Sequence, residues 1–161
     1  MFVGFEGDVP RYAMLRGTCS DSTFVREVPG SDKRFAFSVP KRSGDSHTLC
    51  VFESAIDVLS CLTLIKLNGK LWHGATGLSL GGVARRRKKE DLRLPLAMEQ
   101  FLTDTPQIRR VVLCLDNDEA GREATQWMIP LLGKYEVLDN PPTEGRTTMT
   151  SSSSSWALPV G

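Results

Sequence analysis

The chain has little of what several common chemistries require. Only two histidines, His47 and His73, and four cysteines, Cys19, Cys50, Cys61 and Cys114, are scattered over 161 residues. No Cys-x-x-Cys pair occurs, so the ligand spacing of a tetrahedral zinc site is missing. Three of the cysteines lie in apolar stretches and are read as reduced core thiols. No apolar run approaches the ~20 residues that span a bilayer, and the N-terminus carries no basic-then-apolar signal. A cytoplasmic protein without a membrane partner is the simple expectation. Net charge is only +1, so no global field draws the chain to nucleic acid and any such binding must use local patches. There is no Gly-x-x-x-x-Gly-Lys loop, which excludes a helicase-type nucleoside triphosphatase from this stretch.

What is present is ordinary globular composition, 40% hydrophobic and 24% charged, enough for one domain with a real core. Phe2-Val3-Gly4-Phe5 and Arg11-Tyr12-Ala13-Met14-Leu15 flank a turn-rich stretch and predict a hairpin. Phe24–Val28 and Arg34–Val39, around Pro29-Gly30-Ser31-Asp32, predict a second strand pair. After the polar joint Lys41-Arg42-Ser43-Gly44-Asp45 the pattern changes. Thr48–Phe52 is a short apolar strand ending at Glu53. Ile56, Leu59 and Leu62 then fall at helical spacing, and Asn68-Gly69 supplies a stop. Leu78-Ser79-Leu80 before Gly81-Gly82, a helix from Leu94 to Leu102, the strand Val111–Leu115, a helix from Glu119 to Leu132 and a strand at Lys134–Leu138 follow. Alternating strands and helices imply an α/β fold, a mostly parallel sheet flanked by helices, preceded by a small antiparallel β segment. The expected divisions are 1–46 for the β-rich segment, 47–143 for the α/β unit and 144–161 for a low-complexity, disordered tail.

The most informative stretch is Asp116-Asn117-Asp118-Glu119-Ala120-Gly121-Arg122. It directly follows Val111-Val112-Leu113-Cys114-Leu115, whose unbroken apolar character suits a strand covered on both faces. Ligands of open α/β sheets gather at the carboxyl ends of the strands. If Thr48–Phe52 and Val111–Leu115 belong to one parallel sheet, Glu53, Asp116 and Asp118 emerge together, with Asp57 one helical turn beyond Glu53. Crowded carboxylates resist joint ionisation unless a cation compensates, and one can hold a raised pKa suited to proton transfer. Magnesium fits best, as a hard ion bound through a few carboxylates with positions left for water and phosphate. Alone, an Asp-x-Asp after a strand is commonly a solvated turn with a helix cap. Convergence with Glu53 is what argues for a site.

Glu53 after its strand, Asp57 behind it, Leu78-Ser79-Leu80-Gly81-Gly82, and the run from Asp116 to Arg122 together resemble a Toprim domain, the module shared by bacterial-type primases, type IA and type II topoisomerases and some nucleases. Gly30-Ser31-Asp32-Lys33-Arg34 is similar to the branch found in primase-like and mobilisation proteins of plasmids and integrated elements. The resemblance implies that Glu53 acts as general acid or base and that Asp116 and Asp118, with Asp57 as a further candidate, hold Mg2+. On physical grounds Gly121 allows close backbone approach at the helix start, where the free amides, helped by Arg122, are expected to receive a phosphate. The implied activity is magnesium-dependent phosphodiester chemistry, foremost nucleotidyl transfer by a primase-like protein of which this is a fragment. Its partners would be DNA or RNA, nucleotides and other domains of a longer replication or mobilisation protein. The alternatives are a nuclease or topoisomerase-type cleavage module, for which Tyr12 and Tyr135 are the available tyrosines, and a non-catalytic nucleic-acid-binding remnant.

Ser54 stands where many relatives carry Gly. After Pro141-Pro142-Thr143, relatives of this branch continue with a Gly-Lys-Asp-Tyr-Asn type segment, whereas this chain runs Gly145-Arg146-Thr147-Thr148-Met149-Thr150 into serines. One choice of codons for that stretch reads Lys-Asp-Tyr-Asn-Asp-Phe-Leu in another frame, so a frameshift product is the expectation there. Arg85-Arg86-Arg87-Lys88-Lys89 suits phosphate contact but is diluted by Glu90 and Asp91, and an ordinary solvated loop is as good a reading. Trp72 and Trp127 are expected to be packed rather than stacked on bases.

Overall fold

The computed structural model describes residues 1–17, 24–41, 47–70, 72, 74–83 and 93–142. His73, the Arg85–Lys89 cluster, Cys19 and the tail after Pro142 lie outside the described residues. The described strands form two sheets. The smaller is antiparallel, β1 (Phe2–Glu6), β2 (Val9–Arg16) and β3 (Val25–Glu27). The larger has the order β4-β6-β5-β7-β8, with β4 (Ser38–Val39), β5 (Thr48–Phe52), β6 (Ala75–Ser79), β7 (Arg110–Leu113) and β8 (Glu136–Asp139). β6, β5, β7 and β8 pair in parallel, and only β4 runs the other way. Three helices, α1 (Ala55–Leu67), α2 (Leu96–Asp104) and α3 (Glu119–Leu131), alternate with the parallel strands.

The central strands are buried on both faces, and successive residues feed two separate apolar layers. Leu49 and Val51 of β5, with Val111 and Leu113 of β7 and then Leu115, join Met98 and Leu102 of α2 and Ala124 and Met128 of α3. Cys50, Phe52, Val112 and Cys114 turn the other way and meet Val58, Cys61 and Ile65 of α1. Helices on both faces explain why these strands carry no hydrophobic alternation. Cys50, Cys61 and Cys114 are free buried thiols, as a core reading requires.

Two expectations are corrected. Arg34–Val39 does not pair with residues 24–28. β3 pairs with β2 instead, Lys33–Phe35 forms a 3-10 turn capped by Asp32, and Ser38–Val39 hydrogen-bonds to β6 in the larger sheet. Asp32 holds Arg34 through its own carboxylate, a local turn that competes with strand extension. The second correction concerns α1. Its buried residues include Val58, Cys61 and Ile65, while Leu59 is 39% exposed. The helix is apolar on most sides, so its period did not single out the inward face.

The small sheet is docked onto the same core: Tyr12 and Ala36 are buried among Leu78, Leu80 and Met98. At Gly4 the small sheet comes close to the backbone at Phe35. A Cβ there would stand 1.7 Å from the carbonyl oxygen of Phe35. Because that neighbour is backbone, Gly4→Ala is expected to destabilise the fold by about 1–3 kcal/mol. An unchanged urea midpoint for this variant would show that the small sheet can shift on the core at little cost.

Candidate active site at the carboxyl edge of the parallel sheet

Parallel pairing of β5 with β7 places Val51 opposite Leu113, so Glu53 and the turn after Leu115 leave the sheet at the same edge. The contact is direct. The backbone N–H of Asp116 donates to Oε1 of Glu53 at 3.2 Å, across 63 positions of sequence. On the other side, Leu80 N–H donates to the Phe52 carbonyl and Gly82 N–H to the Glu53 carbonyl, both at 2.9 Å. Gly81 and Gly82 have φ of 68° and 101°, the left-handed region that lets this turn fold back onto Glu53. Ser79, itself buried, accepts the Gly81 amide at 3.1 Å.

Each acid is placed by local hydrogen bonding. Ser54 caps α1 and forms a capping box with Asp57: Ser54 N–H and Oγ donate to Asp57 Oδ2 at 3.0 and 2.6 Å. This is a physical use for serine at that position. Asp118 caps α3, accepting the Gly121 amide at 2.9 Å. The modest reading of Asp-x-Asp as a turn and cap therefore holds for Asp118, and the same turn also delivers Asp116 to Glu53.

Gly121 has a reason other than the one expected. A Cβ there would lie 2.1 Å from the Asp116 carbonyl oxygen and 2.8 Å from Glu53 Oε1. The close approach it permits is to the chain's own backbone, and its amide is engaged by Asp118 rather than offered to a phosphate. Arg122 is likewise engaged. Its guanidinium donates to both oxygens of Asp139 at 2.8 and 2.9 Å and to the carbonyls of Leu115 and Asp116 at 3.2 and 3.3 Å. Asp139 ends β8, so a third parallel strand contributes to the edge. Sequence reasoning passed over Asp139, although the carboxyl-edge rule that selected Glu53 and Asp116 applies to it equally.

The electrostatics single out Glu53. Burial, and then the negative charge of Asp116, push its carboxyl up from 4.5 to about 7; Asp118 and Asp57 add to the rise, and the Asp116 amide opposes it. Asp57 is 8% exposed, and burial raises its pKa against the two hydrogen bonds from Ser54. Among the described residues no group of three Asp, Glu, His or Cys side chains is gathered as a ready ion cage. The donor set around Glu53 consists of carboxylates, which suits a hard cation that takes one or two of them and keeps water elsewhere. The residues thus fit magnesium by donor chemistry.

Comparison with known proteins agrees with this arrangement. Residues 50–141 match the Toprim-like family model, and the chain belongs to that family. Among solved structures it is similar to the primase fragment of the bacteriophage T7 primase-helicase protein, with a TM-score of 0.54 and 16% sequence identity. That likeness, a likeness of fold, covers 84% of this chain and 51% of the phage fragment, so the chain spans about half of its length. A search of curated proteins finds no match.

The site makes two predictions. A carboxyl whose pKa is raised by folding binds its proton more tightly in the native state, so its favourable contribution is complete below its unfolded pKa and is lost as pH rises toward 7. Glu53→Gln keeps an oxygen for the Asp116 amide and removes the titration. Relative to wild type, the variant is expected to gain stability between pH 4.5 and pH 8, as read from denaturation midpoints. A constant difference across that range would contradict the assignment. Second, Arg122→Met removes the charged bonds joining α3, β7 and β8, and a loss of about 2 kcal/mol is expected by chemical denaturation.

Proposed function

We propose that this chain carries out magnesium-dependent phosphodiester chemistry on nucleic acid, with nucleotidyl transfer in primer synthesis as its foremost reaction. The observation that carries the reading is the Glu53 carboxylate, poised near pH 7 and hydrogen-bonded to the Asp116 amide at an edge rich in acids. A group with a pKa near neutrality can both take and return a proton at working pH, which is what a general acid or base requires. Glu53 moves the proton of the attacking or leaving hydroxyl. Asp116 and Asp118 would hold Mg2+, and Asp57 maintains the negative field behind Glu53. When bound, the ion neutralises charge on the reacting phosphate, the dominant need in phosphoryl transfer.

Family membership and the phage primase neighbour support a place for the chain within a longer primase-like protein, and the segment Gly30-Ser31-Asp32-Lys33-Arg34 supports the mobile-element branch. DNA or RNA and nucleotides are its proposed partners. Strand cleavage through the same acids is the second reading, in a form that uses water rather than a tyrosine. Tyr12 is buried, with its phenol pushed up to about 12 mainly by that burial, which deprives it of a nucleophile's ionisation. Tyr135 precedes β8, at the edge opposite the acids.

A magnesium titration with primer synthesis from nucleotides and cleavage of labelled DNA as parallel assays tests the reading. Asp116→Asn and Asp118→Asn are each expected to lower magnesium-dependent turnover roughly 10²–10³-fold, in line with loss of a principal charge-stabilising group. Glu53→Gln should bind nucleic acid but not turn over. Identical magnesium dependence in wild type and both asparagine variants would defeat the assignment. Intact binding with no turnover by wild type in either assay would leave a binding remnant.

A further inference from the structure

We infer that Asp139 is a positioning residue for the acidic edge: through the Arg122 guanidinium it fixes the turn that carries Asp116 and Asp118. The inference rests on the magnesium reading above and deepens it, giving Asp139 a role that needs no contact with the ion. Asp139 ends β8 and pairs with Leu113 of β7, and the next amide, that of Asn140, donates to the Leu113 carbonyl at 2.9 Å. Its backbone is therefore held by the sheet, one strand away from the turn. Nη1 of Arg122 donates to both carboxylate oxygens of Asp139, at 2.8 and 2.9 Å. The other two nitrogens of the same group reach the turn. Nη2 donates to the Leu115 carbonyl at 3.2 Å and Nε to the Asp116 carbonyl at 3.3 Å.

The guanidinium is thus a strut between a strand and a turn. Because the group is planar and rigid, seating one corner on Asp139 sets the direction of the donors at the others. The Asp116 carbonyl is gripped from a second side by Gly121, where a Cβ would stand 2.1 Å from it. The Asp116 amide donates to Glu53. Both backbone groups of Asp116 are therefore committed, and the point from which its side chain starts is fixed relative to Glu53. Stability alone does not account for the arrangement. The ion pair is partly exposed, 26% at Arg122 and 42% at Asp139, and such pairs contribute little to folding. Residues that orient metal-binding groups commonly matter much more to the metal, by about 10–100-fold in affinity. Charge and positioning make opposite demands on Arg122. As a cation beside carboxylates it competes with a metal ion, so by charge alone its removal tightens magnesium binding, whereas loss of the strut weakens it.

The test measures magnesium binding by calorimetry and, in metal-free protein, hydrogen exchange of the Asp116 amide by NMR. The proteins are wild type, Asp139→Asn, Arg122→Met and the double variant. Asp139→Asn and Arg122→Met are each expected to weaken magnesium roughly tenfold. The double variant should be no weaker than Arg122→Met, because both residues act through one strut. In metal-free Asp139→Asn the Asp116 amide should exchange about three- to tenfold faster, as loss of support for one hydrogen bond does.

Tighter magnesium binding by Arg122→Met than by wild type overturns the inference, because the pair would then act by charge or Asp139 would itself take the ion. Wild-type exchange of the Asp116 amide in Asp139→Asn also overturns it and leaves the magnesium reading standing. Wild type that binds no magnesium overturns the metal reading, and the amide comparison, which needs no metal, still decides whether Asp139 fixes the turn. If Arg122→Met fails to fold, Arg122→Lys decides. It keeps the charge, but a single ammonium cannot span Asp139 and both carbonyls, so weaker magnesium binding is expected, and equality with wild type would overturn the proposal.

Discussion

One hydrogen bond holds the site together: the Asp116 amide donating to the carboxylate of Glu53. It exists because β5 and β7 lie side by side in parallel, in a register that brings Glu53 and the turn after Leu115 to the same edge. Each strand is then bracketed from its other side. The Gly81-Gly82 turn bonds back to Phe52 and Glu53, and the Asn140 amide bonds to the Leu113 carbonyl. The apolar layers beneath exclude water from both faces of these strands, so the exposed edge is where charge can collect.

Collecting acids there opposes their own ionisation, and the structure offsets this with backbone donors. Asp118 accepts the Gly121 amide in the first turn of α3, and Asp57 accepts the amide and hydroxyl of Ser54, the cap of α1, so two of the carboxylates sit at helix N-termini where the dipole favours negative charge. Glu53 accepts only one such donor among the described residues, and burial and its neighbours push its carboxyl up to about 7. The same side chains therefore serve as caps for folding and as a charged field for chemistry. Arg122 ties this arrangement to β8 through Asp139 and so extends the edge over three parallel strands.

Much of this was legible residue by residue. The apolar strand ending in Glu53, the stop at Asn68-Gly69 and the helix that begins after Asp118 all follow from local rules, and each is found. The strand assigned to Arg34–Val39 was not, because a local Asp32–Arg34 contact bends the chain and the remaining two residues find their hydrogen bonds on β6. The inward face of α1 was missed because apolar residues surround it. The reasons behind Gly121 and Arg122 were also hidden. One fits against the Asp116 carbonyl and the other reaches Asp139, contacts between segments that no spacing along the chain encodes.

The sequence by itself determined the kinds of element, the order in which they occur and the residue types that end each parallel strand, since these depend on propensity, capping and hydrophobic pattern over a few positions. Only the tertiary structure decided which carboxylate is buried enough to titrate near neutrality, which arginine is already occupied, and that β2 lays Tyr12 against the turn at Gly81. Those outcomes depend on desolvation and on distances between chain segments, quantities that come into being when the sheets pack.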